Sequence, residues 1–175
     1  LSVGAVWSQR VALPKDPFRQ ELVRLLPQLR RFALSLTRNQ ADGDDLVQHT
    51  CERAILRQDL FRPGERLDAW LYTMMRNLWV SEIRKRKVRM GAGQEDASES
   101  HALYSNAGGF SATAENQVLA LITALPEGLA SVLVLVSVEG HSYREAAEIL
   151  DIPIGTVMRR MSTARQRLKA SLGEI

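Results

Sequence analysis

Phe18, Leu22, Leu25, Leu29, Phe32 and Leu36 recur at steps of four and three, which lays a single apolar stripe along a helix. Pro27 falls inside that stretch. A proline in a helix interior costs about 3 kcal/mol, so the pattern predicts a kink or break near Leu26, with Pro27 opening the second piece. A second helix is expected to start near Gly43, Asp44 and Asp45, where acidic side chains suit the positive helix N-terminus, and to bury Leu46, Val47, Thr50 and Ala54. Arg62, Pro63 and Gly64 form a turn signal that closes it. A third helix begins around Leu67, carries Trp70, Leu71, Met74, Met75 and Leu78 at helical spacing, and runs past Ile83 into a basic end.

From Met90 to Thr113 no apolar period survives, and Gly91, Gly93, Gly108 and Gly109 mix with serines, alanines and acids, the composition of a flexible linker. Periodicity resumes at Ala114 and continues to Leu125, ahead of Pro126. The run from Ser131 to Val138 is almost all valine and leucine, and by propensity alone reads as a strand. A lone strand would have no partner among helices, so a buried helix is predicted instead. Ser142 and Glu145 have capping-box spacing and open a short helix through Leu150. Asp151 to Gly155 then makes a tight turn, and a last helix runs from about Thr156 to Ala170, completing a helix-turn-helix. The fold class is therefore all-α: two small helical domains joined by a flexible linker, the C-terminal one holding the helix-turn-helix.

Composition narrows the function classes. The chain has 175 residues, enough for one ordinary domain or two small ones, and is 45% hydrophobic and 25% charged, the balance of a chain that buries a core. Cys51 is the only cysteine, which rules out an intramolecular disulfide and suits a reducing compartment; as a small apolar residue it also suits a core. Leu1 to Asp16 lacks the basic start and apolar stretch of a secretory signal, and the longest apolar run, Leu129 to Val138, is far shorter than the roughly 20 residues a bilayer requires. A cytoplasmic location without membrane insertion is expected. His49, His101 and His141 lack metal-ligand spacing, no glycine-rich phosphate loop occurs, and no nucleophile is brought to a base. No catalytic residue, metal or cofactor is expected, and a nuclease using Asp42, Asp44 and Asp45 is the remote enzymatic alternative.

Charge changes the picture further. Lysine and arginine total 23 against 20 acidic residues, but the basic residues cluster. On the last helix Val157, Met161, Ala164 and Leu168 point inward, leaving Thr156, Arg159, Arg160, Thr163 and Arg167 outward. Arginine can fork to guanine or phosphate, so this face has the chemistry for major-groove docking; a solvated surface helix is the plain alternative. A second basic segment, Arg84, Lys85, Arg86, Lys87 and Arg89, follows a helix rich in Trp70, Tyr72 and Trp79. Its charge draws the phosphate backbone, while asparagine or an exposed aromatic can hold an unstacked base. Trp70 lies in the apolar stripe and reads as core, whereas Trp79 fits either role. Two basic sites on one linked chain suggest a grip on DNA at two places, the second contact being intramolecular.

Two motifs resemble the extracytoplasmic-function sigma factors of the sigma-70 family. The first runs from Asp44 to Thr50 with Arg53 and Ala54, followed by Ala69 to Asn77 and the basic Arg84 to Arg89. The second is Leu125 and Pro126, then Glu139 to Leu150, Ile152 to Val157, and Arg165 to Leu168. The resemblance implies a 1–16 extension, a region 2-like domain over 17–89, a linker over 90–113 and a region 4-like domain over 114–175. It implies that Asp44, Asp45, Leu46, Gln48 and Thr50 lie on the helix that meets the clamp of the largest subunit of core RNA polymerase, with the beta subunit a further contact. Helix capping is the plain alternative for that acidic cluster. It also implies that Asn77, Trp79, Ser81, Arg84 and Lys85 engage and help melt the minus-10 element of promoter DNA, and that Tyr143, Thr156, Arg159, Arg160 and Thr163 serve the minus-35 element.

Ser81 stands where many members have aspartate, and Met158 and Arg159 stand where lysine or arginine followed by serine is common, departures that bear on the promoter sequence. The Arg62 to Glu65 turn is similar to the subgroup serving the alphaproteobacterial general stress response. Members are commonly restrained by an anti-sigma factor, and in holoenzyme they associate with the nucleoid. Two rivals stand beside this reading. One is an operator-binding regulator whose N-terminal half dimerises or senses. The other is a sigma-like antagonist of an anti-sigma protein, whose known kind carries a phospho-receiver domain.

Overall fold

The computed structural model describes residues 16–91 and 114–173, and among these every regular element is helical. Helix α1 (Pro17–Thr37) starts at Asp16, whose carboxylate accepts from the Phe18 amide at 3.0 Å, with proline at the first position, where a missing N–H costs nothing. The break expected at Pro27 does not occur: α1 is one continuous helix. Pro27 lies on its exposed side, as does Val23 four residues earlier, so the one i to i−4 bond that proline removes falls on the solvent side of the helix. The opposite stripe, with Leu22, Leu25, Leu29, Phe32 and Leu36 all buried, outweighs that single lost bond.

Helix α2 (Gln40–Leu56) starts earlier than the acidic residues suggested, because Asn39 caps it by accepting from the Asp42 amide at 3.0 Å. Gly43 sits where α2 crosses α1: an added Cβ there would come within 3.3 Å of the Thr37 hydroxyl. Leu46, Val47, Thr50 and Ala54 are buried as the pattern predicts. A short 3-10 turn (Gln58–Leu60) leads to α3 (Leu67–Arg89), which buries Leu71, Tyr72, Met75 and Trp79. Phe32 and Tyr72 meet edge to face at 4.8 Å, and Phe18, Phe61 and Trp70 form a second aromatic cluster, which makes Trp70 a packing residue.

The second half comprises α4 (Ala114–Ala124), α5 (Glu127–Leu133), α6 (Tyr143–Leu150) and α7 (Ile154–Gly173). The valine-rich run is helical, as context predicts, but after α5 it widens into a π turn over Val134–Val138. There the Glu139 amide donates to the Val134 carbonyl at 2.9 Å and the His141 amide to the Leu135 carbonyl at 2.9 Å. Gly140, at φ +75, turns the chain back toward α6. The capping box is complete: the Glu145 amide donates to the Ser142 hydroxyl at 3.1 Å, and the Ser142 amide to the Glu145 carboxylate at 2.7 Å. Helix α7 begins at Ile154, slightly ahead of the expected start, and buries Val157, Met161 and Ala164, with Leu168 half-buried. The expected N-terminal extension and linker fall almost wholly on 1–15 and 92–113, outside the described residues.

The halves are packed together, with α1 against α4 and α5 and α3 against α6. Consequently the C-terminal part of α1 is covered on all sides, and Phe32, Ala33, Ser35, Leu36 and Thr37 are all buried.

Candidate polymerase and nucleic-acid surfaces

On α2 the five residues assigned to polymerase binding divide into two sets. Asp44, Asp45 and Gln48 are exposed, whereas Leu46 and Thr50 face the core, where the Thr50 hydroxyl donates back to the Leu46 carbonyl at 2.7 Å. The inward pair fixes the helix, and the outward three present an amide and two carboxylates that make no ion pair among the described residues, with Gln48 donating to Glu52 at 3.0 Å. A shallow groove runs beside them between α1 and α2, lined in part by Leu26, Arg30, Val47 and Cys51. Burial raises the Cys51 thiol above its ordinary value, with the neighbouring Glu52 carboxylate adding to the effect, so it stays protonated and packs as an apolar group.

Asp42 does something the sequence did not suggest. Its two oxygens receive the forked guanidinium of Arg86 at 3.0 and 3.1 Å, tying the start of α2 to the end of α3. The same guanidinium lies over the Trp79 ring, 5.4 Å from its centre, and bonds to Glu82 at 2.9 Å; these carboxylates hold it firmly charged. Trp79 is 8% exposed, so its ring belongs to the core in this arrangement and is not available to stack on a base. Asn77, Ser81, Arg84 and Lys85 are all exposed and, at spacings of four, three and one, share a single face of α3. Arg76 donates to the Asn77 side-chain oxygen at 3.1 Å, which turns the amide nitrogen of Asn77 outward as a free donor position.

In the helix-turn-helix, Arg159 is exposed, but Thr156, Arg160, Thr163 and Tyr143 are half-buried. The Arg160 guanidinium lies against the first turn of α5, where a Cβ added at Gly128 would come within 3.1 Å of it. Helix α5 thus covers the flank of α7 that carries Thr156, Arg160 and Thr163. The freest face carries Met158, Arg159, Ser162, Arg165 and Gln166. The apolar stripe defines the inside of α7 but treats its two flanks alike; only the position of α5 distinguishes them.

Among the described residues no group of three or more histidines, cysteines, aspartates or glutamates is placed to hold a metal ion, and no helix is long and apolar enough to cross a membrane. Asp42 is engaged by Arg86, away from exposed Asp44 and Asp45.

Residues 22–76 match the family model described as the Sigma2 domain of PhyR, and residues 115–168 match Sigma-70, region 4. The chain is 39% identical over 159 residues to the ECF RNA polymerase sigma factor EcfG of Rhodopseudomonas palustris, covering 90% of this chain and 86% of EcfG. Among solved structures it is similar to the sigma factor RpoE of Bartonella quintana, in complex with the anti-sigma factor NepR, with 34% identity, a TM-score of 0.68, and 90% and 97% of the two chains covered. It is also similar to CnrH in complex with the cytosolic domain of CnrY, at 26% identity and a TM-score of 0.59 over 90% and 88% of the chains. With two family domains in the sigma-factor order and an identity of this extent to EcfG, the chain belongs to the extracytoplasmic-function family of RNA polymerase sigma factors.

Proposed function

We propose that this sigma factor docks on core RNA polymerase through Asp44, Asp45 and Gln48, and reads promoter DNA with one exposed stripe on α3 and another on α7. The observation that carries this reading is the one-sided exposure of Asn77, Ser81, Arg84 and Lys85 beside the basic end of α3. Arg84 and Lys85 draw the phosphate backbone, and the outward amide of Asn77 can bond to a base held out of the stack. Unstacking a base costs a few kcal/mol, which such trapping offsets. Trp79 contributes from beneath, as the surface on which Arg86 rests. On α7, Arg159 is the most open candidate for a bidentate contact to guanine in the minus-35 element. Thr156, Arg160, Thr163 and Tyr143 flank it and act on backbone phosphates or by positioning.

Leu46 and Thr50 support the polymerase contact by holding α2 in place. The clamp of the largest subunit is the surface for α2, and the beta subunit the surface for the second domain. The likeness to RpoE with NepR and to CnrH with CnrY supports restraint by an anti-sigma factor, and the similarity of the Arg62 to Glu65 turn to the general-stress-response subgroup supports a role in a stress response. The protein works in the cytoplasm, at the nucleoid once in holoenzyme.

Run-off transcription with core polymerase on a promoter library tests the reading. Start sites sharing spaced minus-35 and minus-10 elements are expected with the wild-type chain and are lost with Asp45→Arg. Duplex binding without initiation would instead favour an operator-binding regulator.

A further inference from the structure

The contact between the two halves is electrostatically one-sided. Arg31 Nε meets Glu139 Oε1 at 2.7 Å, Arg66 Nη1 meets Glu145 Oε1 at 3.0 Å, and Arg76 Nη1 meets Asp151 Oδ2 at 3.6 Å. Arg38 donates to the carbonyl of Thr123. In each of these contacts the cation lies in residues 16–91 and the acceptor in residues 114–173. The Glu139 side chain is 5% exposed, so this pair is withdrawn from water. His141 is buried beside it, edge-on to Tyr72 at 5.5 Å and with Nε2 3.5 Å from Asp68.

A second observation points the same way. Among the described residues, the non-glycine residues with positive φ are Arg38, at 56°, and Asp151, at 52°. Both close helices, α1 and α6, at positions where glycine would relieve the left-handed backbone. Both use the side chain that glycine lacks to reach the other half. Strain retained at two contact points of one interface is the mark of a contact with a purpose of its own.

We propose that this interface is an intramolecular latch: the acidic face of the helix-turn-helix domain occupies an arginine face of the first domain, and holds the free sigma factor closed and unable to span a promoter. The proposal rests on the reading that each domain contacts one promoter element. Elements near minus-35 and minus-10 lie about 25 base pairs apart, about 85 Å along duplex DNA. A compact chain with the 136 described residues has a radius of gyration of about 14 Å, and so measures about 40 Å across. The closed form cannot reach both elements. Moreover, Arg76 is shared between Asp151 and Asn77, so the latch engages the neighbour of a base-reading residue.

The test uses the full chain, labelled with a fluorescent donor and acceptor through Gln58→Cys and Gln166→Cys in a Cys51→Ala background; both glutamines are exposed. Energy transfer should be high in the otherwise wild-type chain. It should fall in Arg38→Gly with Asp151→Gly, while the thermal midpoint stays level or rises because the helix ends are relieved. Arg31→Glu should open the chain, and Arg31→Glu with Glu139→Arg should close it again. Low transfer in the wild type, or transfer unchanged in both opened variants, would overturn the latch. This arm needs neither polymerase nor promoter, so it is independent of the functional reading. Titration with core polymerase tests the inhibitory role: the opened glycine variant should bind about tenfold tighter, because the fraction of competent chain rises. Equal affinity despite demonstrated opening would overturn it.

Discussion

His141 is the residue where packing and titration meet. Burial holds its imidazole below the ordinary value, against the pull of the Asp68 carboxylate, while Arg66 lowers it and Glu145 and Glu139 raise it by smaller amounts. The neighbouring Tyr72 hydroxyl, itself buried, is pushed well above its ordinary value and stays neutral. The closed form therefore prefers neutral His141. That preference contributes fully above the ordinary histidine value near 6.5 and is lost as pH falls below it. The Asp68 carboxyl is pushed up by burial but pulled further down by Arg66 and the Ala69 amide; Glu145 is held down chiefly by its bonds with Ser142. Both contribute throughout neutral pH and fade only below the usual carboxylate range. Interdomain energy transfer should consequently fall between about pH 7 and 5, the histidine window. His141→Phe, which keeps an aromatic ring against Tyr72, should flatten the response in that range. At Gly140 the cause is steric: with φ at +75, Gly140→Ala should lose roughly 1 kcal/mol or more in urea unfolding.

At the scale of elements, the apolar periods placed nearly every helix, and the capping box at Ser142 formed as its sequence indicates. Ser142→Ala should cost about 1 kcal/mol by chemical denaturation. The failures are local and have local causes. Pro27 signals a break, but a proline on the exposed side of a helix disrupts only one hydrogen bond, while burial on the far side is untouched. Pro27→Ala should accordingly stabilise the protein by about 1 to 3 kcal/mol, and an unchanged midpoint would mean that α1 has already absorbed the proline. The start of α2 was misplaced because acidic residues favour any position in a first turn, whereas the cap is fixed by one side chain, Asn39. Trp79 could be read both ways from its spacing; the Arg86 guanidinium bound to Asp42 settles it as a covered ring.

For the whole molecule, the two family domains and their order were legible, since each depends on local motifs. The contact between them was not. Arg31 and Glu139 are separated by 108 positions, and nothing periodic links them. Which flank of α7 is open was hidden for the same reason, being decided by α5 and not by α7 itself. Because the interface relies on paired charges that are only partly shielded, raising salt from about 0.1 to 1 M, which shortens the screening length from about 10 to about 3 Å, should partly open the wild-type chain. The Arg38→Gly and Asp151→Gly chain, already open, should show no further change in energy transfer.

The π turn at Val134–Val138 gives the second domain a phase. Such a turn holds one residue more than an α-helix needs for the same span, so deleting Val136 would let the segment rewind as α-helix. Because the widened turn absorbs its extra residue within the same span, the flanking pieces would keep their angular alignment, whereas a residue added within α5 and not absorbed would turn everything downstream by about 100°, the angular step of one helical residue. Glu139 and His141 would thus stay opposite Arg31 and Tyr72 after the deletion, but would be carried away from them by the insertion. The π turn therefore keeps the two domains in register, and the count of residues in α5 ahead of it sets their alignment more strictly than hydrophobicity does.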